Sequence, residues 1–159
     1  YEITRWLEFR RVLFRSAIHY YDKSIENLTK CLKKKLGRDP SEPFPNEITN
    51  PENELYMFVF LGSALTEKSA ALASMGKTSD AEKTLLNTLE VVKNTQNIKN
   101  GQRDGRQQEL TCYIYLHQLY QRSNDQVNAK KQIDNAKKLI DDNPEDSGLR
   151  ERFDAWMQD

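Results

Sequence analysis

Histidine and cysteine are the side chains best suited to bind a soft metal or to act as base and nucleophile. They occur only as His19, His117, Cys31 and Cys112. A zinc-type site needs three or four such ligands, most of them at short spacings, and these four are spread along the chain. A histidine-rich metal site is excluded, and the cysteines match no metal or redox spacing. Gly101 and Gly105 hint at a phosphate loop, but they lack the strand and the Lys-Ser/Thr context that such a loop requires. Carboxylates are plentiful, 24 in all, yet they fall on solvated helix faces and carry no acid–base signal. No nucleophile has a motif around it. The expectation is a protein that is not an enzyme, with no catalytic residue, no cofactor and no metal.

Charge sorts the remaining partners. Lys and Arg number 24 against 24 Asp and Glu, so the chain has no overall electrostatic footprint for nucleic acid or an anionic membrane. The distribution is uneven. Lys30, Lys33, Lys34, Lys35 and Arg38 crowd one helix end, and Asp134, Asp141, Asp142, Glu145, Asp146, Glu151, Asp154 and Asp159 load the C-terminal quarter. These clusters are either a polar docking surface or the ordinary means of complementing a helix dipole and keeping a chain end hydrated. The basic cluster lacks the interleaved aromatic residues on which single strands stack, and no nucleic acid is expected. No apolar run reaches the ~18 residues of a membrane span, so no membrane is expected. Cys31 and Cys112 read as small apolar fillers in a reducing compartment, and the expected location is cytoplasmic.

The elements that would carry any site are helical throughout. From Ala17 to about Leu36, Ile18, Tyr21, Ile25, Leu28, Leu32 and Leu36 trace one face, with Gly37 placed to end the helix. Pro40, Pro43, Pro45 and Pro51 make the next stretch an irregular connection, in which Phe44 is either a packed spacer or a recognition feature. A second helix is expected to start near Pro51 with Asn50 as its cap and run to Gly76, and its apolar run Leu55–Leu61 should make it the most buried element. A third begins near Thr78 or Ser79, with Asp80 and Glu82 in its first turn, and frays toward Asn100-Gly101. A fourth spans about Gln107 to Ser123, a fifth Val127 to Asp141, and a last short helix from about Ser147 places Leu149, Phe153 and Trp156 along one side.

Two of these helix pairs share one spacing pattern. Leu72, Ala81, Leu85 and Thr88 in the first match Tyr120, Ala129, Ile133 and Ala136 in the second, and Ala17, Tyr21, Ser24 and Ile25 look like half of a third. The pattern resembles the tetratricopeptide repeat, a helix–turn–helix unit that stacks on its neighbours. The turn Met75-Gly76-Lys77 followed by Ala81 is similar to the family's interhelix turn. The period departs from the family: Ala81 and Ala129 stand 48 apart and Ala17 and Ala81 stand 64 apart, against ~34. Ser69 and His117 fall where the family places Gly or Ala, and His117 is expected to be a packed imidazole. The resemblance implies an all-α fold, an antiparallel helix-pair α-solenoid of about two and a half repeats over residues 17–144, with residues 145–159 as a C-terminal capping helix.

The same resemblance implies a concave groove lined by the first helix of each unit. That phasing selects Thr111, Ile114, Tyr115, Gln118, Gln121 and Arg122 from one unit, and Ser63, Thr66, Glu67, Ala70 and Ser74 from the other. The Lys/Asn/Arg clamp by which some relatives grip a terminal carboxylate is missing at these places. The expected function is a protein–protein interaction scaffold that holds a peptide or helical segment of another protein. The alternative is a helical sensor or regulatory domain that takes a small peptide or ligand. Tyr115→Ala with Gln118→Ala is expected to weaken capture without lowering the melting temperature.

Residues 1–16, YEITRWLEFRRVLFRS, are out of phase with the repeat pattern, and RRVLFRS resembles translated sequencing-adapter DNA. The segment is expected to be either a non-native junction on a longer repeat protein or an extra amphipathic helix with Trp6, Phe9 and Leu13 on one side.

Overall fold

A computed structural model describes residues 2–43 and 54–158, and among them the chain forms six helices and no strand. In order they are α1 (Glu2–Leu36), α2 (Leu55–Ser74), α3 (Thr78–Asn97), α4 (Gln102–Arg122), α5 (Gln126–Asp141) and α6 (Ser147–Gln158). Each of the first five packs on the next in sequence, and α2 also touches α4, as α4 touches α6. α4 is the hub, with α2, α3, α5 and α6 around it.

The apolar periodicity of each helix selects its neighbour. Leu32 of α1 is fully buried with Phe58, Leu61 and Leu65 of α2 and Val91 of α3, and Ile25, Leu28 and Leu36 pack around them. Ion pairs fix the antiparallel register of α1 and α2: Lys35 meets Glu54 at 2.9 Å and Lys68 meets Asp22 at 2.6 Å. Leu85, Leu89, Cys112 and Leu116 join α3 to α4. Leu110, Ile114, Ala136, Ile140, Leu149 and Phe153 close α4, α5 and α6 into a second core.

The two tight hairpins are built alike. Gly76 (φ 75°) and Asn124 (φ 62°) both take left-handed backbone just after a helix. Lys77 N donates to Leu72 O at 3.0 Å and Gly76 N to Ala73 O at 3.0 Å; Asp125 N donates to Tyr120 O at 2.9 Å and Asn124 N to Gln121 O at 3.1 Å. These are Schellman closures, and in each the residue after the left-handed one is also the cap of the next helix. Asp125 caps α5 through its carboxylate, which accepts from Asn128 N at 3.0 Å. Lys77 makes no such side-chain bond, so α3 lacks the Thr78 or Ser79 cap expected of it; Thr78 is already its first helical residue.

Several other boundaries differ from expectation. α1 does not begin at Ala17 but runs unbroken from Glu2. Val12 and Leu13 are exposed on it, and the side chains of Trp6 and Phe9 lie outside the described residues. The expected cap Asn50, Pro51 and Phe44 also lie outside them; α2 begins at Leu55. Among the described residues, 37–43 are irregular and pinned: Asn94 of α3, buried, donates to Pro40 O at 2.7 Å and Glu42 O at 2.8 Å. α4 starts at Gln102 rather than Gln107, with Gly105 inside it. A Cβ there would lie 3.0 Å from Gln96 N and 3.1 Å from Val92 O, so the close crossing of α3 and α4 requires glycine. The apolar run at the start of α2 is not wholly buried: Tyr56 and Phe60 are 72% and 62% exposed while Phe58 and Leu61 fill the core. Cys31 is exposed and only Cys112 is an interior filler.

Candidate functional site

α2 and α4 run side by side in the same direction. Near the start of both, Gln108 Nε2 donates to Val59 O at 2.9 Å and to Ser63 Oγ at 3.1 Å. Gly62 makes this possible, since a Cβ at that position would lie 2.5 Å from Gln108 Oε1. Near their ends, Ala73 and Ser74 share a cleft with Gln118 and Arg122. The trough between the two helices holds two depressions.

The depression at the C-terminal ends has a volume of about 200 Å³ and is lined by Ser69, Ala70, Ala73, Ser74, Leu85, Tyr115, Gln118, Leu119 and Arg122. Its floor is apolar and its rim carries one cation. The depression at the N-terminal ends, about 330 Å³, has a single apolar lining residue, Val59, among Ser63, Thr66, Glu67, Asp104, Gln107, Gln108, Thr111 and Arg152. Arg152 reaches in from α6 to Thr111 Oγ1 at 3.5 Å. Tyr115 lines the first depression, and Glu67 lines the second. Partial burial and then the Glu67 carboxylate push the Tyr115 phenol above the usual tyrosine range.

The residues selected from sequence are distributed as follows. Ala70, Tyr115, Gln118 and Arg122 line the first depression together with Ser74. Ser63, Thr66, Glu67 and Thr111 line the second, where Thr66 is itself buried and donates to Gly62 O at 2.8 Å. Gln121 is exposed and lines neither. Ile114 is buried in the α4–α5–α6 core. Tyr115 packs against the cores around Leu85, Leu116 and Leu110, so its truncation removes core contacts as well as groove surface. For the double variant Tyr115→Ala with Gln118→Ala, these core contacts predict a lower melting temperature alongside any loss of capture. Asp104, Gln107, Gln108 and Arg152 escaped the sequence reading. The first three continue the stripe Thr111, Tyr115, Gln118, Arg122 backward at helical spacing, and a helix start placed at Gln107 hid Asp104. Arg152 had no local signal because it arrives from another helix.

Away from the trough, the reactive groups are tied down. His117 is buried, with Nδ1 donating to Ala129 O at 2.9 Å and its ring edge-on to Trp156 at 5.2 Å. Burial pushes the Cys112 thiol up to about 12, against a smaller opposing effect of Thr66. In the basic cluster Lys33 pairs with Asp39 at 2.8 Å, which holds its ammonium above the usual range, and Lys35 pairs with Glu54. Among the described residues no group of three or more His, Cys, Asp or Glu side chains is placed to hold a metal ion, and no helix is long and apolar enough to cross a membrane. No protein family, curated protein or solved structure matches the chain.

Proposed function

We propose that the chain is a tetratricopeptide-like stack of antiparallel helix pairs, about two and a half repeats ending in α6 as a cap, and that it serves as a non-catalytic scaffold. Its task is to hold a segment of another protein in the trough between α2 and α4. The repeat reading is supported by the two hairpins, whose left-handed residues Gly76 and Asn124 stand 48 positions apart with the same closing hydrogen bonds. A solenoid of this kind stacks its units so that the first helices of successive units lie side by side, as α2 and α4 do.

The binding reading rests on one observation. The trough is lined by side chains that the core does not use, among them Ser63, Glu67, Ser74, Gln118 and Arg122, at helical spacing on two parallel helices. A segment of protein suits it better than a small ligand. Small-molecule sites are mostly apolar and fall at about 300–1,000 Å³, whereas the apolar depression here is about 200 Å³ and the larger one is polar.

Ser74→Trp tests the reading. The position is exposed at a helix end, so an indole placed there fills the depression without entering the core. Peptides retained by the wild-type protein from a random display pool should be lost, with the melting temperature unchanged. Undiminished retention would refute the groove.

A further inference from the structure

Several cations are paired with carboxylates, but the charges that line the trough are not. Lys33, Lys35, Lys68, Lys93, Arg106 and Arg150 each meet a carboxylate within 3.5 Å. Glu67, Asp104 and Arg122 line the trough and have no ion-pair partner among the described residues. They are also segregated. Arg122 is the sole charge of the C-terminal depression, beside the apolar floor of Ala70, Ala73, Leu85 and Leu119. Glu67 and Asp104 outnumber Arg152 in the N-terminal one. The trough is thus positive at one end and net negative at the other, with its only sizeable apolar hollow at the positive end.

An occupant that neutralises both ends must carry the opposite charges in the opposite places. Resting on the groove reading above, we infer that the trough takes an extended peptide segment with an acidic side chain next to an apolar one, and a basic side chain further along. The apolar side chain fills the hollow, the neighbouring carboxylate meets Arg122, and the basic group lies between Glu67 and Asp104. The spacing follows from helix geometry. Gln108 bonds to Val59 and Ser63, so seven residues further along these parallel helices Glu67 lies about level with Tyr115, and Tyr115 is seven residues from Arg122. Asp104 is eighteen residues from Arg122. At ~1.5 Å of rise per helical residue these are ~10 Å and ~27 Å, or about three to eight residues of extended chain at ~3.3 Å each. An arginine offers a forked donor set to a carboxylate, which makes acid recognition at that end selective and not merely attractive.

The test is a random peptide display pool passed over four proteins: wild type, Ser74→Trp, Arg122→Glu, and the double variant Glu67→Lys with Asp104→Lys. All the substituted positions are exposed, and melting curves check that the fold survives. Wild type should enrich peptides with an acid beside an aliphatic or aromatic residue and a Lys or Arg about three to eight positions away. Arg122→Glu should lower retention of the acid-bearing peptides by roughly two- to tenfold and select a basic residue in place of the acid. The double variant should reverse the preference at the other end. Peptides that are lost with Ser74→Trp but whose composition ignores both charge reversals would overturn this inference and leave the groove standing. Peptides retained by Ser74→Trp, or no enrichment by wild type at all, would overturn the groove and the inference together.

Discussion

His117 donates from Nδ1 to the main-chain carbonyl of Ala129, 2.9 Å away across the α4–α5 hairpin. Ser69 does the same one hairpin earlier, its hydroxyl donating to Ala81 O at 3.4 Å. Both pairs stand twelve residues apart, each bridges two consecutive helices, and in each the partner residue is an alanine. A small residue at the first position would let the helices touch; a polar one bridges the gap and bonds to the facing backbone. His117 also supports α6 through its edge contact with Trp156.

His117→Ala removes one buried hydrogen bond and one aromatic contact. It should lower unfolding free energy by roughly 1–3 kcal/mol and loosen α6, visible as a red shift of Trp156 emission in a Trp6→Phe background. Stability within ~0.5 kcal/mol of wild type would show that the crossing contact contributes little.

Asn124 takes the left-handed conformation that Gly76 takes in the first hairpin. Asparagine tolerates it and a β-branched residue does not. Asn124→Val should cost about 1–2 kcal/mol, while Asn124→Gly should stay close to wild type. Urea denaturation of the two variants separates the outcomes, and equal stability of Val and Gly would contradict the assigned turn.

Gly105 gives a test of sign. In an ordinary helix interior, Gly→Ala stabilises by about 0.5–1 kcal/mol. Here the added methyl group would press on Gln96 N and Val92 O, which are α3 backbone and cannot swing aside. Gly105→Ala should therefore destabilise. A higher melting temperature would mean that α3 and α4 cross less closely than described.

The two thiols should differ in kind. Cys31 is exposed and should react at once with a disulfide reagent, whereas Cys112 should react only on unfolding. Burial raises the Cys112 thiol to about 12 in the folded state, and an unfolded cysteine titrates near ~8.5. A raised folded value means that the contribution is fully present below the unfolded value and is lost as pH rises through the window up to about 12. Tyr113 and Tyr120 act in the same direction, raised first by burial and then by Glu109 and Glu82 respectively. Stability should fall on the alkaline side, and Cys112→Ala should make that fall shallower. Identical alkaline profiles for the two proteins would remove Cys112 from the account.

Helix content was legible because apolar residues recur at three and four positions, as on α1 from Ile18 to Leu36 and on α5 from Ala129 to Ile140. The hairpin turns were legible from Gly76 and from Asn124-Asp125. What depended on distant partners was not. Gly105 lies before the expected helix start at Gln107, because glycine disfavours a helix interior; the close approach of Gln96, which only glycine allows, is a tertiary feature. Arg106, one residue before the expected helix start, ties α4 to the α5–α6 connection through Asn143 at 2.7 Å and Glu145 at 3.1 Å. Tyr56, Phe60 and Cys31 were expected to be buried from their types alone, and their exposure depends on which helices lie beside them. The trough followed the same rule: the stripe on α4 was readable, and Arg152 arriving from α6 was not.

The central claim is that a protein segment binds between α2 and α4. The most direct measurement is an amide chemical-shift map recorded while a peptide enriched from the display pool is titrated into the wild-type protein. The account predicts perturbations confined to the facing stripes, with Ala70, Ser74, Tyr115, Gln118 and Arg122 moving together with Ser63, Glu67 and Thr111. Perturbations confined to the outer faces of α3 and α5 or to α1, with those residues unmoved, would contradict it.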